Sequence, residues 1–507
     1  MITRRSVLQL GGALAVAGSM GAAPAAAGRR SSTAVPWDQL RAQLQGDVVL
    51  PADSGYDVAK QLAVAEYDAI HPQGIAYCET PGDVATAVRF AQDNAIPART
   101  RSGGHNFAGW STGEGIVIDV SRIKHVQVTG STVRVGPGAM SVEALAVLKP
   151  YNKQIVTGTC PTVCPGGFLT GGGIGYQTAK FGLGSDRLVS ARAVLADGSL
   201  VTASATREPD LYWALRGGGG GNFGILVDFE VRPIDQPRGV YFATTWPWDK
   251  AKDLIEAWQQ WSLADADNLG SSLGVLLPDA APGTTPMVTL NGAYWGAQTD
   301  LEAGLAALAS ATGVQPLSRS VTELPYDEVM MHVYGCDQIT VKQCHRVGQN
   351  DEGTIPRGGA LRERHRLFAK PLTGSALAAT LAAFDADRYA GHTRFLGFNH
   401  LGGAATRPGR TDTAFWHRDT QFLVGIGAAL PSPTPSAEDE AVTRTWVDRG
   451  YGIIDPLSTG HSYINFPDER LTDWQQAYYG GNYDRLVCVK NAYDPDNFFN
   501  HPQSIGS

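Results

Sequence analysis

Thr159-Cys160-Pro161-Thr162-Val163-Cys164-Pro165-Gly166-Gly167, running on to Gly171-Gly172-Gly173-Ile174-Gly175, is the stretch whose reading decides the fold. A proline-constrained turn followed by glycines lets the backbone lie against a bulky flat ligand. A glycine run also invites comparison with the dinucleotide fingerprint, which needs a strand, the glycines, a helix and an acidic residue about 20 positions further on. After Gly175 come Tyr176 to Phe181 and then Gly182 and Gly184, which break any helix, so a Rossmann nucleotide site is disfavoured. A NAD-dependent dehydrogenase is disfavoured with it.

Two further pieces flank this stretch. Arg101-Ser102-Gly103-Gly104-His105-Asn106 combines glycines, whose N–H groups can approach a phosphate, with a positive charge. Gly217 to Gly221, followed by Asn222-Phe223-Gly224-Ile225, is a glycine turn feeding a strand. Around them the chain alternates elements: a helix over 83–92 stopped by Pro97, strands over 115–120, 125–128 and 132–135, and a helix over 139–149. A hairpin turns at Asp197-Gly198, a brief helix covers 210–215 and a strand returns over 223–231. This predicts an α+β lobe ending near Pro233. Beyond it, strands at 239–246, 270–277, 393–399 and 421–430 and helices at 250–263, 299–311 and 374–384 predict an antiparallel sheet with helices on one side. The last segment reads as a helix over 483–491 with a stop at Asp494-Pro495.

The composition is that of an ordinary globular protein of 507 residues, 43% hydrophobic and 18% charged. A net charge of -8 and the lack of any basic block exclude a nucleic-acid partner. Thr3-Arg4-Arg5-Ser6 before an apolar stretch over 7–16, with small residues through Ala27, reads as a twin-arginine export signal and predicts a secreted protein. That stretch is shorter than the roughly 20 residues a spanning helix needs, so no membrane association is expected after cleavage. Six cysteines are too few for a disulfide scaffold. Cys78 and Cys488 read as buried small hydrophobes; Cys336 and Cys344 could pair, though nothing requires it.

Taken in order and spacing, the motifs resemble the berberine bridge enzyme-like branch of the p-cresol methylhydroxylase-type FAD oxidoreductases. The resemblance rests on Arg-Ser-Gly-Gly-His at 101–105, Cys-Pro-Thr-Val at 160–163 with its glycine run, Gly-Gly-Asn-Phe-Gly-Ile at 220–225, Asn482-Tyr483-Asp484-Arg485-Leu486, and Tyr493-Asp494-Pro495-Asp496-Asn497-Phe498-Phe499. It implies a bilobed chain: a signal at 1–27, a lead-in at 28–60, a FAD-binding domain at 61–233, a substrate domain at 234–470 and a segment at 471–507 returning to the FAD lobe. It implies FAD bonded twice, by His105 at the flavin 8α-methyl and by Cys160 at carbon 6. Cys160, not Cys164, is the cysteine followed by Pro-Thr-Val. Arg101, Ser102, Gly103, Gly104, Asn106, Pro161, Thr162, Val163, Gly171, Gly172, Gly173, Gly175, Gly224, Ile225, Asn482 and Tyr483 are carried over as cofactor-binding; no metal is expected. Hydride would pass from a small-molecule substrate to flavin N5, and dioxygen would reoxidise the flavin to give hydrogen peroxide.

The pattern also departs from the family. Many relatives place a proton-accepting tyrosine on a strand, in a motif like Tyr-x-Asn-Tyr-x-Asp; here the sequence is Tyr463-Ile464-Asn465-Phe466-Pro467-Asp468, and a phenyl ring at 466 cannot take a proton. On a strand, Tyr463 would face away from position 466. His400 is a chemically possible base, or a locally bonded strand histidine; His417-Arg418 reads as structural. The catalytic base is therefore unassigned. The expectation is an oxidase acting on a hydroxyl of a sugar or glycosylated metabolite. The alternatives are C–H or C–N oxidation without a tyrosine base, and a flavin-loaded binding protein without turnover.

Overall fold

In the computed structural model, which describes residues 35–507, the strands sort into three sheets. The export signal read at 1–27 and the first residues of the lead-in lie outside the described residues. A four-stranded sheet is built from β1 (Asp47–Val49), β2 (Gly74–Tyr77), β3 (Ala98–Arg101) and β4 (Ile116–Asp119) in the order β1-β2-β4-β3, with only the β1–β2 pair antiparallel. A five-stranded antiparallel sheet follows from β5 (Val126–Thr129), β6 (Thr132–Val135), β7 (Leu188–Val194), β8 (Leu200–Ser204) and β9 (Ile225–Val231). Thr80 starts the helix Pro81–Asp93 through a capping box: the Asp83 N–H donates to Thr80 Oγ1 at 3.1 Å and the Asp83 carboxylate accepts from the Thr80 N–H.

The remaining strands form one seven-stranded antiparallel sheet, ordered β13-β10-β12-β11-β15-β16-β14. They are β10 (Arg238–Trp246), β11 (Leu269–Leu277), β12 (Met287–Tyr294), β13 (Ser318–Pro325), β14 (Ala360–Phe368), β15 (Thr393–His400) and β16 (Phe422–Leu430). The α+β class read from the sequence is the class the chain adopts. Four helices, Ala251–Ala264, Gln298–Thr312, Gly374–Asp385 and Ala437–Ile454, cover one face of this sheet. Leu273, Val275, Leu396, Phe398, Val424 and Ile426 point into that layer with Trp258, Leu301, Phe384 and Trp446, all at most 2% exposed. Burying each such side chain contributes roughly 1.5–3 kcal/mol.

Alternation sends the intervening residues to the other face, where small and polar residues stand beside the leucines Leu367 and Leu423. One row crosses the strands in register as Thr245, Thr289, Gly274, Gly397, Gly425 and His365. The next row reads Asn291, Ser272, Asn399, Leu423 and Leu367. On this side the helix Tyr326–Val333 packs on β10, β12 and β13, with His332 stacked on Tyr241, and β11 faces the residues that follow the glycine run. Tyr176 Oη lies 2.6 Å from Ser272 Oγ and accepts from Asn291 Nδ2 at 3.1 Å, while His365 Nε2 accepts from the Tyr463 N–H at 2.9 Å.

Two cysteine readings change. Cys336 and Cys344 are disulfide-bonded, which the sequence left open. Cys488 is exposed, because on the helix Tyr483–Tyr493 the inward stripe is Leu486, Val489 and Lys490.

Candidate active site

A cavity of about 300 Å³ lies among the glycine-rich turns, the segment 463–466 and the C-terminal residues 499–501. Its wall includes Arg101, Ser102, Gly103, Gly104, His105 and Asn106, then Cys160, Val163 and Cys164, then Gly224 and Ile225. His105 and Cys160, 55 residues apart in sequence (160 − 105), thus border one space. Close approach explains the glycines. A Cβ on Gly103 would stand 2.7 Å from Cys164 Sγ, and one on Gly166 2.8 Å from Ser102 Oγ.

Not every residue expected here borders the cavity. Pro161, Thr162, Gly171, Gly172, Gly173 and Gly175 stand behind its wall: the Pro161 carbonyl accepts from the Val142 N–H, and Cβ atoms on Gly171 and Gly173 would strike Asn465 and Phe168. Asn482 and Tyr483 sit elsewhere, which corrects their assignment to cofactor contact. Asn482 is 2% exposed, and its Nδ2 donates to the carbonyls of Arg410, Thr413 and Ala414. Tyr483 stacks on Tyr479 at 6.0 Å. Both hold the last helix against the chain.

The segment 463–466 is not a strand. The Phe466 N–H donates to the Tyr463 carbonyl at 2.9 Å, closing a turn, and both rings border the cavity 5.4 Å apart. The strand expectation that Tyr463 faces away from position 466 is therefore overturned. Tyr463 Oη accepts from the Gly173 N–H at 3.0 Å and from Asn465 Nδ2 at 2.8 Å, and it donates to nothing among the described residues. Burial pushes its pKa up to about 12, and the donated hydrogen bonds pull against that rise. Phe466 stacks on Phe107 at 6.0 Å and meets His365 edge-on at 5.8 Å.

His400 is removed from the candidates for a base. It lies on the helix-covered face of β15, 5% exposed, with Nδ1 donating to the Leu269 carbonyl at 3.0 Å and its ring 5.9 Å from Phe422. His417 and Arg418 are structural: His417 Nε2 donates to the Tyr478 carbonyl, and Arg418 is bidentate on Asp186 at 2.7 and 2.8 Å. Sequence reading missed Trp110, Ile174, Tyr463, Asn465 and His501 in the wall. His501 belongs to the C-terminal segment and stacks on Trp110 at 4.9 Å. With Phe499 and Asn500 it brings that segment back to the site.

The residues present fit a flavin dinucleotide. Arg101 Nη1, Trp110 Nε1 and Ser111 Oγ belong to residues that border the cavity, are buried and have no partner among the described residues, so donors stand ready for a polar ligand. Arg101 gives its Nε to Asp119 in a buried pair, so only its remaining nitrogens are free for a phosphate. Burial, and after it the Arg346 charge, holds His105 down to about 4, which leaves a neutral ring nitrogen at neutral pH. Ser102, Gly103 and Gly104 would hold the phosphates, and His105 and Cys160 would meet the ring. Among the described residues no group of three or more potential metal ligands is found.

Comparison with known proteins agrees with a FAD-binding chain. Residues 72–204 match a FAD binding domain family, and residues 462–506 match the family described as berberine and berberine like. The chain is 38% identical over 472 residues to an FAD-linked oxidoreductase of Aspergillus niger, covering 86% of this chain and 84% of that one. It is 30% identical over 467 residues to the xylooligosaccharide oxidase of Thermothelomyces thermophilus, covering 86% and 87%. Among solved structures, the BBE-like 1 protein of Physcomitrella patens superposes with a TM-score of 0.82 at 23% identity, covering 92% of this chain and 98% of that one.

Proposed function

This chain belongs to the berberine bridge enzyme-like FAD-linked oxidoreductases, and from that premise we propose that it carries its flavin on both His105 and Cys160 and oxidises a hydroxyl group of a sugar or a glycosylated secondary metabolite. The observation that carries the reading is the presence of His105 and Cys160 in the wall of one cavity. When bound, the flavin supplies a two-electron acceptor that dioxygen reoxidises, giving hydrogen peroxide.

The protein's own residues bind and orient. Gly274, Gly397 and Gly425 lie side by side on three neighbouring strands; the Glu363 carboxylate reaches over Gly425, where a Cβ would stand 3.0 Å from its Oε1, and the sheet is bare at Gly397. A Cβ on Gly397 would meet nothing within 4 Å. Tyr176, Ser272 and Asn291 close one end of the strip with hydroxyl and amide groups, and His365 and Phe466 close the other. Such a floor suits a flat, hydroxyl-bearing ring. Gly397→Leu is expected to raise KM on the order of tenfold with little change in kcat and none in flavin content. Steady-state kinetics together with the flavin absorbance check this.

Tyr463 is the group placed to take the substrate proton. Two N–H donors occupy its lone pairs and would stabilise a phenolate, and its ring borders the same cavity. A substrate screen that bleaches the yellow protein and yields peroxide supports turnover; a flavin that no alcohol or sugar reduces would sink the hydroxyl reading. The second reading, C–H or C–N oxidation without a tyrosine base, draws on Phe466 standing where relatives carry a phenol.

We also propose export by the twin-arginine route, on the strength of Arg4-Arg5 and the apolar stretch behind them. The Cys336–Cys344 disulfide suits an oxidising compartment. Expression in the native host is expected to release into the medium a chain starting near residue 28; a cell-retained chain beginning at Met1 would contradict it.

A further inference from the structure

Glu363 is a partly buried carboxylate without a role in binding the flavin or taking the substrate proton. It stands on β14 beside His365, on the face of the sheet that carries Gly397 and Gly425. Its Oε1 reaches over Gly425, 3.0 Å from where a Cβ there would stand, and neither oxygen has a hydrogen-bond or ion-pair partner among the described residues. Gly427, directly across from Glu363, is covered by the Phe395 ring, and His365 is held neutral by burial and then by the charges of Arg366 and Arg364. Glu363 also borders a second pocket, of about 110 Å³. Two rings in the wall of that pocket, Phe107 and Phe466, border the larger cavity as well.

The arginines around this pocket are already matched. Arg362 pairs with Glu66 and Glu440, Arg364 with Asp468, Arg444 with Glu440 and Arg470 with Asp448. These guanidiniums and carboxylates balance one for one, and none of the arginines turns to Glu363. Glu469 is the other carboxylate in the wall without an ion pair, and it is exposed to solvent. Burial, and after it the Asp468 charge, holds the Glu363 carboxyl up to about 7. Sheltering an anion without a counter-charge is costly, so the position lacks a cation that the chain does not supply. A hydroxyl could donate to this carboxylate but would leave its charge unmatched; an ammonium group both donates and neutralises.

We propose that Glu363 is a specificity-determining residue: it selects a hydroxyl-bearing ring that also carries a protonated amine, as an amino sugar does, by pairing with the ammonium group at the end of the glycine strip. This deepens the hydroxyl reading above and rests on it. One strand spacing, about 5 Å, separates Gly425 from Gly397. That span suits a ring seated over Gly397, where the sheet is bare, whose own amine substituent meets the carboxylate in a charge-assisted bond of about 2.8 Å. Neutral His365 beside it neither competes for the carboxylate nor repels the cation.

The test titrates the flavin-loaded enzyme at pH 8 with cyclohexylamine, which is protonated there, and with the neutral cyclohexanol and N-cyclohexylacetamide, following heat and flavin absorbance. Wild type and Glu469→Gln are expected to bind the cation about tenfold or more tightly than either neutral ligand. Glu363→Gln, which keeps the shape and removes the charge, should lose that preference. Equal binding of all three ligands by wild type overturns the inference, and this comparison needs no variant. A preference that survives Glu363→Gln, or that Glu469→Gln abolishes, overturns it too. Flavin reduction by 4-aminocyclohexanol at lower concentration than by 1,4-cyclohexanediol supports both the inference and the reading beneath it. A Glu363-dependent preference for the cation, in an enzyme whose flavin no alcohol or sugar reduces, upholds the cation site and refutes the hydroxyl reading.

Discussion

Replacing both His105 and Cys160 with alanine is expected to turn a protein whose yellow colour survives acid precipitation into one that releases all its flavin to the supernatant. Each single variant should keep the colour through the remaining bond. The reason is geometric: both side chains border one cavity, so either can hold the ring alone, while both together fix its position and its tilt. Ser102, Gly103, Gly104 and the unpartnered Arg101 nitrogen border the cavity and would still hold FAD without a bond in native buffer, a hold that acid is expected to break. A displacement of about 1 Å at the reacting atoms can cost on the order of a hundredfold in rate. Each single variant is therefore expected to lose about ten- to a hundredfold in kcat, and the double variant more. Absorbance of the acid pellet and turnover by peroxide release measure the two effects separately. A double variant that keeps yellow pellets would mean that the bonds are made elsewhere.

Tyr463→Phe should cost about 10²- to 10⁴-fold in kcat, the usual range for removing a positioned proton acceptor. The variant keeps the ring that packs on Phe415 and Phe466, and it loses only the oxygen on which the Gly173 N–H and Asn465 Nδ2 converge. The pH profile supplies the sign. With the phenol held near 12, its phenolate is scarce at pH 7 and grows tenfold with each pH unit below that value, so wild-type kcat/KM should climb through the alkaline range. In Tyr463→Phe the climb should flatten. Phe466→Tyr is the companion variant: it adds a second phenol beside the first and should leave the wild-type profile nearly unchanged if Tyr463 already serves. A large gain in alcohol oxidation from Phe466→Tyr would instead favour C–H or C–N chemistry for the native enzyme.

Much of the fold was legible because its strands alternate in the ordinary way. β15 reads Thr393-Arg394-Phe395-Leu396-Gly397-Phe398-Asn399-His400 with every second residue buried, and its limits fall within a residue of those expected. β14 escaped notice for a physical reason. Arg362, Arg364 and Arg366 make it look like a solvated loop, yet each is neutralised by carboxylates of distant segments, Glu66 and Glu440, Asp468, and Asp455. Alternation alone cannot reveal partners about 80 to 300 residues away.

The site divided along the same line. Arg101 to Asn106 and Cys160 are consecutive or motif-bound, and their glycines betray close packing. Tyr463 was misjudged because a strand was assumed where the chain makes a turn, and in that turn positions 463 and 466 share a side. Arg346 carried no signal at all; the Gly103 carbonyl to which its Nη2 donates lies 243 residues earlier. Asn482 misled in the opposite sense, since its Nδ2 donors are spent on the carbonyls of Arg410, Thr413 and Ala414 and its side chain does not border the cavity.

The central claim, one flavin bonded at two points, is tested most directly by the mass of the denatured, purified protein followed by that of its flavin-bearing peptide. The expected result is a polypeptide heavier by one FAD, and on digestion a single cross-linked species in which the ring joins the fragment containing His105 to the fragment containing Cys160. A denatured chain with the mass of the polypeptide alone, or a flavin peptide that includes only one of the two residues, would contradict it.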